Sequence, residues 1–306
     1  MITAILPDNK PINMKHKQWR DNMIAVTGAN GQLGRLVIAA LLKRVPASQI
    51  VALVRDPGQA EALSRLGVTL RTADYDQPQT LTNALKGVSK LLLISGNMIG
   101  QRVRQHSAVI HAAKQAGVAL LAYTSILHAD KSPMQLSDEH RDTEQLIKAS
   151  DVPYVLLRNG WYNENYSAGI AGSIAAGAIV GAMHEGRIAS AARGDYAEAA
   201  AVVLTEPDHA GKTYELAGDQ SFNLQALANL ATELSGKTVL TNYVSEQHYA
   251  DFLTQLGLPA GFAALLADAE AQANAGWLYE NSGTLGRLIG RPTTTMLESL
   301  TYQLNA

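Results

Sequence analysis

The stretch from Met23 to Arg44 constrains the chain most: a short β-branched run ends in Thr27-Gly28-Ala29-Asn30-Gly31-Gln32-Leu33-Gly34 and passes at once into an amphipathic helical pattern. A G-x-x-G-x-x-G spacing between strand and helix leaves few solutions. Gly28 permits a tight turn, Gly31 removes a Cβ where backbone would approach a pyrophosphate, and Gly34 allows the helix to pack closely on the strand. Free amides at the helix start then face phosphate charge. The plain alternative is a glycine-rich turn that holds nothing, and the rest of the chain weighs against it.

From Met23 onward, apolar runs alternate with helical patterns at close spacing, the signature of parallel βαβ units. The strands read Met23 to Thr27, Ile50 to Val54, Thr69 to Thr72, Leu91 to Ser95, Leu120 to Thr124 and Tyr154 to Arg158. Helices are expected at Gln32 to Arg44, Gly58 to Leu66, Pro78 to Leu85, Gln101 to Gln115 and Ser137 to Ala149. The fold class is therefore α/β, a Rossmann doubly wound parallel sheet spanning residues 23–158 with ligands in the crevice at the carboxyl ends of its strands. Residues 159–306 read as a smaller, mostly helical substrate region, interleaved with the sheet near 187–217, where a helix at Asp195 to Thr205 precedes a strand at Thr213 to Ala217. Further helices are expected at Leu224 to Leu234, Ser245 to Leu256, Gly261 to Gln272 and Thr295 to Leu304, and the Gly/Ala-rich stretch from Ala168 to Ala182 reads as a mobile lid.

The residue following the second strand decides the nucleotide. An acidic side chain there bonds a ribose 2′-hydroxyl, whereas Arg55 suits a 2′-phosphate, so NADPH is favoured. Asp56, one step on, is placed to serve a ribose, which keeps NADH as the second choice. Asp74 and Tyr75 after the third strand and Ser95 after the fourth occupy the edge where adenine and ribose would lie.

Composition removes other classes of function. A net charge of -2 offers no footprint for nucleic acid, and the absence of cysteine removes disulfides, thiolate nucleophiles, iron–sulfur clusters and cysteine-based zinc sites. No apolar run approaches the ~18 residues of a membrane span. Residues 1–22 lack the pattern of a signal peptide and read as a flexible extension, so a cytoplasmic protein is expected. None of the 11 tyrosines has Lys at the fourth following position, so the tyrosinate–lysine pair of ordinary short-chain dehydrogenases is missing.

With TGANGQLG, the strand end VRD, AYTSILHAD and LLRNGWYNENY in view, the chain from Met23 to its carboxyl terminus resembles the NmrA-like atypical short-chain dehydrogenases. Within that group it is most similar to bacterial flavin-independent quinone oxidoreductases of type 2, and next to triphenylmethane dye reductases. The resemblance implies that Gly28 to Leu33 hold pyrophosphate, Arg55 meets the 2′-phosphate, Ser95 lies by the ribose, and Asn159, Gly160, Trp161 and Tyr162 line the nicotinamide. Aromatic-ether reductases of the same superfamily carry a catalytic Lys near the place of His140, which makes His140 a candidate proton donor; the alternative is a histidine on the helix surface.

The expected chemistry is direct hydride transfer from NADPH to a quinone or other flat aromatic acceptor, with no flavin and no metal. The hydroquinonate product is aromatic and needs no strong general acid, so the missing dyad is compatible with this acceptor. Trp161, Tyr162 and Tyr166 would wall the acceptor pocket, or else pack the core between the two regions. The rivals are a dye-type reductase and a non-catalytic NADP(H) sensor that binds a protein partner. The sequence sets no oligomeric state.

Overall fold

The computed structural model describes residues 22–306, so the reading of residues 1–22 as an extension falls outside the described residues but for the last of them. Seven parallel strands form the main sheet: β1 (Ile24–Val26), β2 (Ile50–Val54), β3 (Thr69–Thr72), β4 (Lys90–Leu93), β5 (Leu120–Ile126), β6 (Tyr154–Asn159) and β8 (Thr213–Leu216). Their order is β3-β2-β1-β4-β5-β6-β8. The order reverses between β1 and β4, and a crevice opens at such a switch point outside the carboxyl ends of the strands.

The strand runs are apolar at almost every position because both faces of the sheet are covered. Ile24, Val26, Ala52, Val54, Leu92 and Leu157 pack on one side with Val37, Ile38 and Leu41 of α1 (Gln32–Leu42). Their neighbours Ala25, Val51, Leu53, Leu91, Leu93 and Leu156 pack on the other with α3 (Pro78–Ala84), α4 (Arg102–Ala116) and α5 (Gln135–Ala149). Between β2 and β3 a 3-10 turn at Pro57–Gln59 and the short α2 (Glu61–Ser64) replace the single helix expected there.

The chain then leaves the sheet through α6 (Glu164–Ser167), α7 (Ile170–Ala176) and β7 (Ala178–Gly181) and returns as α8 (Arg193–Thr205). Ala197, Ala199, Ala200 and Ala201 let α8 sit tightly beside α1 and against β4, β5 and β6, buried on nearly every side. The strand foreseen near Thr213 is β8, and it extends the main sheet beside β6.

The remaining residues supply α9 (Leu224–Ser235), β9 (Leu240–Tyr243), α10 (Glu246–Gln255), α11 (Ala260–Gln272), α12 (Thr284–Ile289) and α13 (Met296–Asn305). Trp161, Ile170, Ile174, Met183, Phe222, Leu224, Leu227 and Leu300 form a separate apolar core in this region. The stretch from Ala168 to Ala182, read as a lid, carries regular structure. That stretch is α7 followed by β7, and β7 pairs with β9 in a parallel two-stranded sheet that the sequence reading missed. Among the described residues no helix is long and apolar enough to cross a membrane.

Candidate functional site

The glycine loop fills the start of the switch-point crevice. Gly28 has φ +57, a left-handed conformation that glycine adopts without strain. A Cβ on Gly34 would lie 2.3 Å from the Gly28 carbonyl oxygen and 2.7 Å from Ala29 Cα, so only glycine lets α1 approach the loop this closely. Gly31 is the N-cap of α1 and brings no capping side chain, and no acid lies in the first helical turn. The first amides of the helix are thus left for an anion. Gln32 is exposed beside them while Leu33 is buried in the core. Asn30 serves the scaffold: its Nδ2 donates to Gln59 O at 3.0 Å and its Oδ1 accepts from Arg35 Nη2 at 2.8 Å.

Arg55 is exposed at the end of β2, and among the described residues it forms no side-chain hydrogen bond or ion pair. Asp56 and Asp74, the acids placed near the ribose edge, also accept within their own turns. Asp56 accepts from Gly58 N at 2.9 Å and Gln59 Nε2 at 3.0 Å. Asp74 accepts from Asp76 N and Gln77 Nε2, both at 3.0 Å. These are Asx turns, the local use such residues prefer.

The exit of β4 is held by three hydroxyls, and the sequence reading gave no role to those of Thr27 and Thr124. Thr27 Oγ1 accepts from Ile94 N at 2.9 Å, and Thr124 Oγ1 accepts from Ser95 N at 2.9 Å. The Tyr75 hydroxyl donates to Ile94 O at 3.2 Å, and burial pushes its pKa up to about 12. Ser95 is half-buried where β4 gives way to this loop.

Beneath Ser95 and Gly96 lies a buried cluster of Arg102, His106, Tyr123, His140 and Thr143. Gly96 N donates to His106 Nε2 at 3.0 Å, so His106 carries its proton on Nδ1 and donates it to Thr143 Oγ1 at 2.9 Å. Burial and the neighbouring Arg102 charge pull the His106 pKa down to about 3. His140 corrects its alternative reading: it is 5% exposed, packed against β5 rather than on a helix surface, with Nδ1 2.8 Å from the Tyr123 hydroxyl. Burial, then Arg102, then His106 hold its pKa well below the ordinary histidine value, so it is uncharged at neutral pH and has no imidazolium proton to give.

Asn159 ends β6 and Gly160 follows it with its backbone amide donating to Leu216 O at 2.7 Å. Trp161 is buried in the apolar core of the accessory region, the packing alternative of the earlier reading, while Tyr162 is half-buried beneath the Arg193 guanidinium at 4.6 Å from its ring centre. Tyr166 packs edge-on against Phe222 and donates to Glu270 Oε1 at 3.1 Å.

Among the described residues, three buried side-chain atoms lack a hydrogen-bond partner: Arg102 Nη1, Ser137 Oγ and Asn159 Oδ1. They lie at the first residue of α4, in the first turn of α5 and at the last residue of β6, the segments that follow or end β4, β5 and β6 at one edge of the sheet. Orphaned buried polar atoms are costly, and these three gather at the ligand edge of the sheet, with Glu139 Oε2 the nearest counter-charge to Arg102 Nη1 at 3.9 Å. Arg102 and Ser137 carried no sequence signal. By contrast Arg158 is fully engaged below the edge, with Glu144 Oε2 and Glu215 Oε1 each at 2.7 Å and Asp130 Oδ1 at 2.6 Å. Burial alone would lower its pKa, but Glu144 and Glu215 hold it above the ordinary value, so it is a permanent structural charge.

A family model described as NAD(P)H-binding matches residues 28–207. Quinone oxidoreductase 2 of Escherichia coli (strain K12) is 53% identical over 283 residues, covering 92% of this chain and 99% of the relative. The crystal structure of an NADPH-dependent quinone oxidoreductase from Escherichia coli complexed with NADPH superimposes with a TM-score of 0.90, at 53% identity, over 92% of this chain and 100% of the other. Citrobacter sp. triphenylmethane reductase complexed with NADP(H) superimposes with a TM-score of 0.88, at 41% identity, over 92% of this chain and 99% of the other. The chain thus belongs to the NAD(P)H-binding family, matched over residues 28–207, and it is a relative of quinone oxidoreductase 2.

Proposed function

We propose that the protein is an NADPH-dependent quinone oxidoreductase that passes hydride directly to the quinone without flavin. The observation that carries this reading is the 53% identity, over 92% of the chain, to a quinone oxidoreductase whose structure contains NADPH. The residues present fit that nucleotide. The Gly28 turn, the uncapped start of α1 and the Gly34 contact form a pyrophosphate cradle that a side chain would fill. Arg55, uncommitted at the end of β2, suits the 2′-phosphate, and the unpartnered Oδ1 of Asn159 suits the N–H of a carboxamide.

When bound, NADPH supplies the hydride. The protein's part is to hold a flat acceptor near the nicotinamide and to exclude water, with Ser95, Asn159, Gly160 and Tyr162 at the reacting end. The lack of a tyrosine–lysine pair follows from an acceptor whose reduced form is aromatic and stabilises its own charge. Oxidation of NADPH by the purified, flavin-free protein with a simple benzoquinone, run beside NADH and a cationic triphenylmethane dye, tests the reading. Faster turnover with the quinone is expected. Faster turnover with the dye would favour the second reading, which the 41% identity to triphenylmethane reductase supports; NADPH binding without any turnover would favour a redox sensor.

A further inference from the structure

We propose that His140 acts as an uncharged hydrogen-bond donor, through Nε2–H, to the acceptor oxygen that gains negative charge, and that Tyr123 is the positioning residue that fixes this tautomer. The proposal rests on the quinone-reductase reading above. It goes beyond that reading by assigning a chemical role to the buried cluster under Ser95.

The tautomer follows from hydrogen-bond accounting. Tyr123 is fully buried, and among the described residues the one group in hydrogen-bonding geometry with its hydroxyl is His140 Nδ1, at 2.8 Å. Thr143 lies close by, donating to Glu139 O at 2.8 Å and accepting from His106 Nδ1, but its hydroxyl is not in hydrogen-bonding geometry with Tyr123. Were His140 protonated on Nδ1, it would donate to the phenol oxygen and strand the phenol proton in a dry site, at a cost of about 1–3 kcal/mol. Donation from Tyr123 to Nδ1 satisfies both groups. An uncharged imidazole that accepts at Nδ1 carries its proton on Nε2.

That Nε2–H has no hydrogen-bond partner among the described residues, and His140 is not wholly closed to solvent, with 5% of its surface exposed. Its level is also fixed: Tyr123 is in register with Leu93, the last residue of β4, directly below Ser95 and Gly96. The charged and titratable groups around the pair are Arg102 and His106 on α4, and Glu139 and Glu144 on α5. Glu144 is consumed by Arg158, and His106 is itself neutral, so Arg102 is the cation that opposes protonation of His140.

The chemistry balances without a proton leaving the imidazole. Hydride transfer reduces the quinone by two electrons and leaves NADP⁺. The charged oxygen is met by Nε2–H and then takes a proton from water, so His140 begins and ends uncharged. A preorganised donor aimed at developing charge in a site shielded from water is an effective catalytic group.

The test is long-range ¹H–¹⁵N NMR of histidine-labelled protein saturated with NADP⁺, with His140 assigned by the signals lost in His140→Gln. The expected result is the neutral Nε2–H tautomer from about pH 5 to pH 9 in the wild type, and a mixture with the Nδ1–H tautomer in Tyr123→Phe. In parallel, kcat with benzoquinone should fall about tenfold in Tyr123→Phe, the worth of one well-placed hydrogen bond, while KM for NADPH stays within about twofold. A wild-type imidazole protonated on Nδ1, or charged at pH 6, overturns the proposal whether or not quinone is turned over. An unchanged kcat in Tyr123→Phe overturns the positioning role, and wild-type protein that shows the expected tautomer but no quinone turnover overturns the parent reading and the catalytic role with it.

Discussion

Glu270 on α11 offers a perturbation whose size can be worked from the structure. Its carboxylate is 3% exposed and accepts from Ala182 N at 2.6 Å and from the Tyr166 hydroxyl at 3.1 Å, tying α11 to the end of β7 and to the segment after β6. Burial outweighs these hydrogen bonds and pushes its pKa up from 4.5 to about 7. Between those two values the native state holds a proton that the unfolded chain has released, so stability is fully present below about pH 4.5 and is lost as pH rises through 7. At about 1.4 kcal/mol per pH unit the loss approaches about 3 kcal/mol. Glu270→Gln mimics the protonated form at every pH. Calorimetry of both proteins from about pH 5 to pH 8 should show nearly equal Tm at the acid end and the variant higher by roughly 6 °C at the alkaline end. A Tm difference that does not change with pH would refute the assignment.

Other outcomes follow from the site. Arg55→Ala should raise KM for NADPH about 10- to 100-fold, the worth of a charge-assisted contact, and leave NADH nearly unchanged; equal losses would remove the 2′-phosphate assignment. Gly34→Ala forces its Cβ within 2.3 Å of the Gly28 oxygen, so it should cost about 1–3 kcal/mol in unfolding and weaken NADPH binding measured by calorimetric titration; an unaltered Kd would contradict the cradle. Arg158→Met leaves the buried Glu144 with only the Ser125 hydroxyl at 2.7 Å and the half-exposed Lys148 ammonium at 3.6 Å, and should destabilise the fold by about 3 kcal/mol in urea unfolding, with Glu144→Gln recovering part of the loss. A loss below about 1 kcal/mol would show that the network is not what holds β5, β6 and β8 together at this level.

The parts legible in the sequence are those whose cause is local. A sheet covered on both faces needs apolar residues at nearly every position, which made runs such as Ile50 to Val54 plain, and the glycine spacing records a single turn and one close contact. Strands β7 and β9 escaped because Ala178–Gly181 and Leu240–Tyr243 are four residues each and exist by pairing with one another across a long separation. Asp56 and Asp74 stand at the expected strand ends, and each is also followed two residues on by an amide it captures, a turn signal present in Asp56-Pro57-Gly58 that the sequence reading did not use. The Tyr123–His140 pair was illegible for a different reason. It depends on the register that sets Tyr123 beside Leu93 and on a helix that brings His140 back over β5, and no short stretch of sequence encodes either.

Direct hydride transfer is the central claim, and a single-turnover experiment tests it most directly. Protein stripped of any flavin is loaded with one equivalent of NADPH, or of NADPH deuterated at C4 on one face or the other, and mixed with benzoquinone while nicotinamide absorbance is followed. The account predicts stoichiometric loss of the reduced nucleotide with no added cofactor and a primary isotope effect for one of the two deuterated faces. Loss that begins only when flavin is supplied, or a rate indifferent to deuterium on both faces while quinone is consumed in one-electron steps, would contradict it.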